Sequence, residues 1–218
     1  MARPQPLKKL TLKEMLLRFE LYEGIPEGLS QLPVPDKLKI GLKRYPVPKD
    51  VKEFTGSLCY GQRIFLTQAE EEDFSTIIRI ADGYYYPIVT KKKWDADKAL
   101  LFGKKIITCK AKEIYPTAMH IASLIKEMAD KELELLHREP SKMELAAGIE
   151  KLNVFAEMNA LDFLRDAMKI TVPEVLLTPY NECLVRFMIA KETTEFQERY
   201  FKLQMETSKA KSGGKATA

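Results

Sequence analysis

The chain has 218 residues, 45% of them apolar and 30% charged, with a formal net charge of +4. That is enough sequence for one large or two small domains with a buried core, and the balance is that of a folded chain rather than a disordered one. No apolar run of about eighteen residues is present, which argues against a membrane-spanning helix, and the opening "MARPQPLKKLTLKEML" lacks the apolar centre of a signal peptide, so an unexported chain is expected.

Helix starts give the clearest local signal. A Ser or Thr followed three residues later by Glu or Gln lets two side chains satisfy free backbone N–H groups reciprocally. Thr11/Glu14, Thr67/Glu70, Ser141/Glu144, Thr171/Glu174 and Thr194/Gln197 all fit this pattern. The first helix is expected over 12–22, with Leu12, Met15, Leu16 and Phe19 on one face and Gly24 and Pro26 ending it. Residues 25–50 then hold Pro26, Pro33, Pro35, Pro46 and Pro48, so regular structure there must be short. The same stretch carries Leu29, Leu32, Val34, Leu38 and Ile40, too many apolar side chains for a floating linker. It reads as an extended arm lying on this chain's own body or on a neighbouring subunit, and those five residues are the expected partner contacts.

Residues 51–66 read as one or two short strands around Gly61. A helix from Thr67 to about Asp82 follows, with Glu70 to Asp73 in its first turn, Phe74, Ile77, Ile78 and Ala81 buried, and Gly83 ending it. Alternation over 84–90 predicts a strand with Tyr84, Tyr86 and Ile88 on one face. Pro87 makes it an edge strand, Lys91, Lys92 and Lys93 guard that edge, and Asp95 caps a short helix to about Leu101. Residues 104–110 read as a strand or an extended link. From Pro116 the chain is expected to be wholly helical: 116–137, then 141 to about 169 with Asn153, Glu157 and Asn159 as a polar stripe, then 179–207 as one helix or two meeting near Thr193. The end, "SKAKSGGKATA", reads as a disordered tail.

The expected fold class is therefore α+β, mainly α, with a small mixed region followed by a helical C-terminal bundle. Its divisions are a helix and proline-rich arm (1–50), a small α+β region (51–115), a helical region (116–207) and a basic tail (208–218).

Catalytic and metal signatures do not appear. His120 and His137 lie about 260° apart around one expected helix, so they cannot share a metal there. Cys59, Cys109 and Cys183 form no CxxC pair and read as buried reduced thiols. "LFGKK" lacks the first glycine and the Ser or Thr of a phosphate loop, and Asp95 and Asp97 are explained by a helix start. No enzyme activity, cofactor or metal is expected. Seven methionines of the helical part, Met119 to Met205, suit a core or an adaptable interface.

Charge is uneven. Arg3, Lys8, Lys9 and Lys13 at one end and Lys209, Lys211 and Lys215 at the other leave a slightly acidic body between two basic ends. Basic ends suit nucleic acid or an acidic partner. Tyr84, Tyr86, Lys91, Lys92 and Lys93 are the candidate nucleic-acid contacts, since stacking platforms set aromatics beside cations.

The opening "LTLKEMLLRFELYEGIP" and the closing helical run "VPEVLLTPYNECLVRFMIAKETTEFQERYFKLQMETSK" resemble small virion accessory, cargo or tail-assembly proteins of tailed bacteriophages, including the crAss-like group. The resemblance implies a non-enzymatic structural or assembly role, in a virion or a host cytoplasm, with other phage structural proteins or a second copy of itself as partner and no membrane. The alternative is a nucleic-acid-binding accessory protein using the basic ends and residues 84–94.

Overall fold

The structure, a computed structural model, describes residues 10–17, 28–29, 31–68 and 74–213. The expected ends of the first helix, the acids 70–73 and the basic residues Arg3, Lys8, Lys9 and Lys215 lie outside the described residues. The fold is mainly α with a small antiparallel hairpin. In order come α1 (Leu12–Leu17), β1 (Lys37–Ile40), β2 (Lys43–Pro46), α2 (Val51–Gly56), α3 (Tyr60–Thr67), α4 (Phe74–Thr90), α5 (Ala96–Ile106), α6 (Ala111–Leu136), α7 (Lys142–Ala147), a 3-10 stretch (Ile149–Phe155), α8 (Ala156–Met168), α9 (Val172–Leu177) and α10 (Tyr180–Gly213).

The reciprocal caps at Thr11/Glu14, Ser141/Glu144 and Thr171/Glu174 are formed as expected. Asp95 also caps α5, accepting from Lys98 N at 3.1 Å. Thr194 does not cap a helix. Its hydroxyl donates to Ala190 O inside α10, which runs unbroken through Gly213, so residues 208–213 of the expected disordered tail are helical. Thr67 ends α3, and its hydroxyl donates to Arg63 O and Ile64 O.

The proline-rich arm folds back on its own chain. Gly41, at φ +63°, makes the tight turn that pairs Ile40 with Lys43 and Lys37 with Pro46. The pleat then points Leu38 and Ile40 inward while Lys37 and Lys39 face water. Leu29, Leu38 and Ile40 are buried in the core beside residues of α2, α4 and α6, so they are not free to meet a partner. Leu32 and Val34 are exposed.

Two expected strands are helices. Over 51–67, Asp50 accepts from Glu53 N at 2.8 Å and Glu53 accepts from Lys49 N, which starts α2. Gln62 accepts from Cys59 N at 3.1 Å, which starts α3. Over 84–90 the chain continues α4 instead of turning at Gly83. Pro87 has no N–H for the Gly83 carbonyl four residues earlier. The buried Gln62 side chain supplies the missing donor at 2.9 Å. Gly83 is glycine because α3 crosses it closely: a Cβ there would sit 2.7 Å from Leu66 and 2.9 Å from Phe65.

This makes α4 the central helix. Tyr84, Tyr85 and Tyr86 cover about 200° of its circumference, and all three are buried. A helix that is apolar all round belongs inside. Tyr84 stacks on Phe54 of α2 at 5.4 Å, Tyr85 donates to Pro46 O of the hairpin, and Tyr86 meets Phe102 of α5 and Trp94 edge-on. α5 extends to Ile106 rather than stopping at Leu101, and residues 107–110 form a turn, not a strand.

Short backbone bridges close the body. Leu12 N donates to Cys109 O, and Ala111 N donates to Leu10 O, so α1 is pinned beside the start of α6. Tyr60 N donates to Thr178 O, and Tyr180 N donates to Leu58 O. The second pair anchors α10 beneath α3, over a smaller apolar cluster of Tyr60, Leu164, Val175 and Cys183.

Candidate functional site

The five candidate nucleic-acid residues separate. Lys91, Lys92 and Lys93 are exposed in the turn after α4, where Lys91 takes the left-handed conformation (φ +59°) that ends the helix. Tyr84 and Tyr86 are each 4% exposed and offer no ring face for a base. Trp94 follows the lysines, but its ring is packed edge-on against Phe65, and a Cβ on Gly61 would lie 2.8 Å from the indole. The expected platform is thus a core face with a charged turn beside it. The burial follows from the helical period, which turns the three tyrosines to different neighbours where a strand would have exposed one side.

The most polar interior feature was not legible in the sequence. Arg63 of α3 faces Glu132 of α6 and Glu157 of α8. Its Nε and Nη2 donate to the two Glu132 oxygens at 3.0 and 2.5 Å, and its Nη1 donates to Glu157 at 2.6 Å. The paired fork geometry is the strong form of this contact. Burial works against the Arg63 charge, but the hydrogen bonds and charges of the two glutamates outweigh it and hold the guanidinium above its ordinary pKa. Tyr60, Tyr180, Leu184 and Phe187 complete the walls of a cleft of about 220 Å³ around the ion cluster. Burial, and then the nearby carboxylates, push both tyrosine pKa values up, so both phenols stay neutral. The cleft therefore holds a charge clamp that ties α3 to α6 and α8.

Two of the thiols and one imidazole sit in structural surroundings. Burial pushes the Cys109 thiol up to about 12 and the Cys183 thiol up to about 11. His120 Nε2 lies 2.8 Å from Pro48 O and fastens α6 to the end of the hairpin. Among the described residues, no group of three or more His, Cys, Asp or Glu could hold a metal ion, and no helix is long and apolar enough to cross a membrane.

Several large apolar side chains of the C-terminal helical part are exposed. Exposed apolar side chains are scattered on most proteins, and only contiguous ones carry meaning. Here Met143 and Leu145 of α7, Leu152, Val154 and Phe155 of the 3-10 stretch and Met158 of α8 are exposed within a short length of chain, interspersed with charged residues, with Met143 and Val154 each 84% exposed. Nearby, Arg138 joins Glu144 of α7 to Glu198 of α10 through its two terminal nitrogens, so this region is tied to the last helix. α10 itself has two faces. Tyr180, Leu184, Phe187 and Lys191 lie against the body, Lys191 donating to Leu135 O at 3.0 Å. Val185, Ile189, Phe196, Tyr200 and Leu203 are 50% or more exposed. From Arg199 through Ser208 every residue is exposed.

Comparison of the chain with protein-family models, with curated proteins and with solved structures returned no match.

Proposed function

We propose that this chain is a non-enzymatic assembly component that works through protein–protein contacts. The observation that carries this reading is the concentration of exposed large apolar side chains between Met143 and Met158, together with those on the outer face of α10. Burying a large aliphatic or aromatic side chain is worth roughly 1.5–3 kcal/mol, so this surface is costly in water and favourable at an interface. A tailed-phage particle or its assembly pathway is the proposed setting, on the resemblance of the opening and closing segments alone.

The test uses the whole purified chain, alone and mixed with purified proteins of the particle that contains it. Light scattering after size exclusion is expected to show a mass above that of the monomer, or a stoichiometric complex. Met143→Lys, Val154→Lys and Met158→Lys together should weaken that association without unfolding the body, since all three side chains face water. A chain that stays monomeric and ignores every such protein would sink the reading.

A further inference from the structure

The outer face of α10 has a seven-residue repeat. Ile189, Phe196 and Leu203 are spaced seven apart, Thr193 and Tyr200 lie between them, and Thr207 follows, at alternating steps of four and three. At about 100° per residue these six positions form one narrow stripe. All six are exposed. The stripe lies roughly 180° around the helix from Tyr180, Phe187, Lys191 and Glu198, which face the body. Alternating steps of three and four with apolar side chains are the pattern of a coiled-coil seam, in which each helix needs another to cover it. The end of α10 also needs cover of its own accord, because an isolated helical end of this length is marginal in water.

We infer that the seam pairs with the same seam of a second copy of this chain, antiparallel and across a two-fold axis near residues 201–202. Two observations select this occupant and this direction, both resting on the assembly reading above. The first is size. In that register Phe196 faces the partner's Thr207, and Tyr200 faces the partner's Leu203, so each large ring meets a smaller side chain, and the two-fold repeats both contacts. The second is charge. The positions flanking the seam on one side are Glu192, Arg199 and Glu206. The antiparallel register sets Arg199 beside the partner's Glu206 and, by symmetry, Glu206 beside the partner's Arg199. On the other flank, Gln197 meets the partner's Gln204. A shift of one heptad toward the body would instead oppose Arg199 to its own copy and Glu192 to the partner's Glu206, which like-charge repulsion disfavours. Arg199 is free to turn outward, since its link within the helix is a loose one of 3.6 Å to Glu195. From Arg199 through Ser208 α10 is exposed all round, so the stripe is open to this contact.

The experiment is sedimentation velocity of the full chain over a wide concentration range, with circular dichroism to check that each variant keeps its fold. The expected result is a concentration-dependent dimer that Leu203→Glu abolishes. Arg199→Glu alone and Glu206→Arg alone should each weaken the dimer by roughly tenfold, because each change turns two attractive pairs into repulsive ones. The double variant should recover most of the affinity, since it swaps both partners of each pair. A parallel pairing would not respond in this reciprocal way, so a double variant no better than the singles overturns the proposal. A chain that is monomeric at every concentration, or a dimer indifferent to Leu203→Glu, overturns it as well. If such a monomer still binds another protein through residues 143–158, self-pairing falls while the assembly reading stands.

Discussion

Gln62 donates its side-chain amide to the carbonyl of Gly83, a group that Pro87 deprives of its helical partner. The oxygen of the same amide accepts from Cys59 N at 3.1 Å, so one buried side chain both starts α3 and repairs α4. Gln62→Leu should cost about 1–3 kcal/mol, the usual penalty for stranding buried polar groups. In a Pro87→Ala background the cost should shrink, because the new backbone N–H reaches the Gly83 carbonyl and only the Cys59 bond is lost. Urea unfolding of the four proteins measures this. Equal costs in both backgrounds would show that the two residues are not coupled.

Asp82 gives stability an unusual dependence on pH. Its carboxyl is 2% exposed, its Oδ1 has no hydrogen-bond partner, and burial pushes its pKa up to about 8. Gly103 packs closely against it, since a Cβ there would lie 2.7 Å from Asp82 Oδ2, and Arg79, three residues before it, turns instead to the Phe65 ring at 4.8 Å. In the unfolded chain the group ionises near pH 4. Between those two values the folded state holds a proton that the unfolded state has released, so stability falls as pH rises from about 4 to about 8 and then levels off. The loss across this window should be on the order of a few kcal/mol. Asp82→Asn should flatten the Asp82 part of the curve. An unchanged slope in the variant would rule this carboxyl out as its source.

Removing Arg63 alone should be worse than removing Arg63 and Glu132 together. Arg63→Met leaves two glutamates facing each other in a half-buried cleft and should cost about 3 kcal/mol. Arg63→Met with Glu132→Leu removes the more buried of the two stranded carboxylates and leaves Glu157 at the wetter edge of the cleft, so it should recover most of that loss. Arg63→Lys should fall between wild type and Arg63→Met, because an ammonium cannot make the paired contact with Glu132. Thermal unfolding at constant pH ranks the variants, and a double variant less stable than Arg63→Met would contradict the account.

The arm now has a structural role that mutation can separate from assembly. Leu38→Ala removes a side chain that is fully buried in the core and should cost about 2–4 kcal/mol. Leu32→Ser and Val34→Ser change exposed positions and should leave both stability and association near wild type. Association lost in those two variants, with stability intact, would return the arm to the interface.

Much of the helical framework was legible because its signals are local. Thr11 and Glu14, Ser141 and Glu144, and Thr171 and Glu174 each bond to each other, so a window of four residues suffices to see them. The same local pattern misleads at Thr194, where a continuous helix overrides it, and it hides at Asp50 and Glu53, where aspartate stands in for Ser or Thr. Residues 84–86 carry no periodicity at all, because three identical side chains fit a strand or a helix equally. Gly83 and Pro87 then punctuate wrongly, since the answer lies twenty-one residues away in Gln62. The Arg63 clamp joins residues 69 and 94 positions apart, a distance at which a single sequence offers no signal. The seam on α10 is different in kind. Its repeat is written in the sequence, but its exposure is not, and exposure is what separates a coiled-coil seam from a core stripe.

The bridge between Cys59 and Pro179 has a consequence for how the chain reaches this state. Its two strands of backbone are 120 residues apart. Residues 58–60 leave the ribosome long before 178–180 exist, and Tyr60 waits in water with its cluster unbuilt. Thr11 waits likewise for Lys110. Closing loops of this length costs conformational entropy before any contact rewards it, which slows folding. The molecule's first turns are thus completed by its later ones, and the growing chain is most open to proteases and to misassociation until α10 begins.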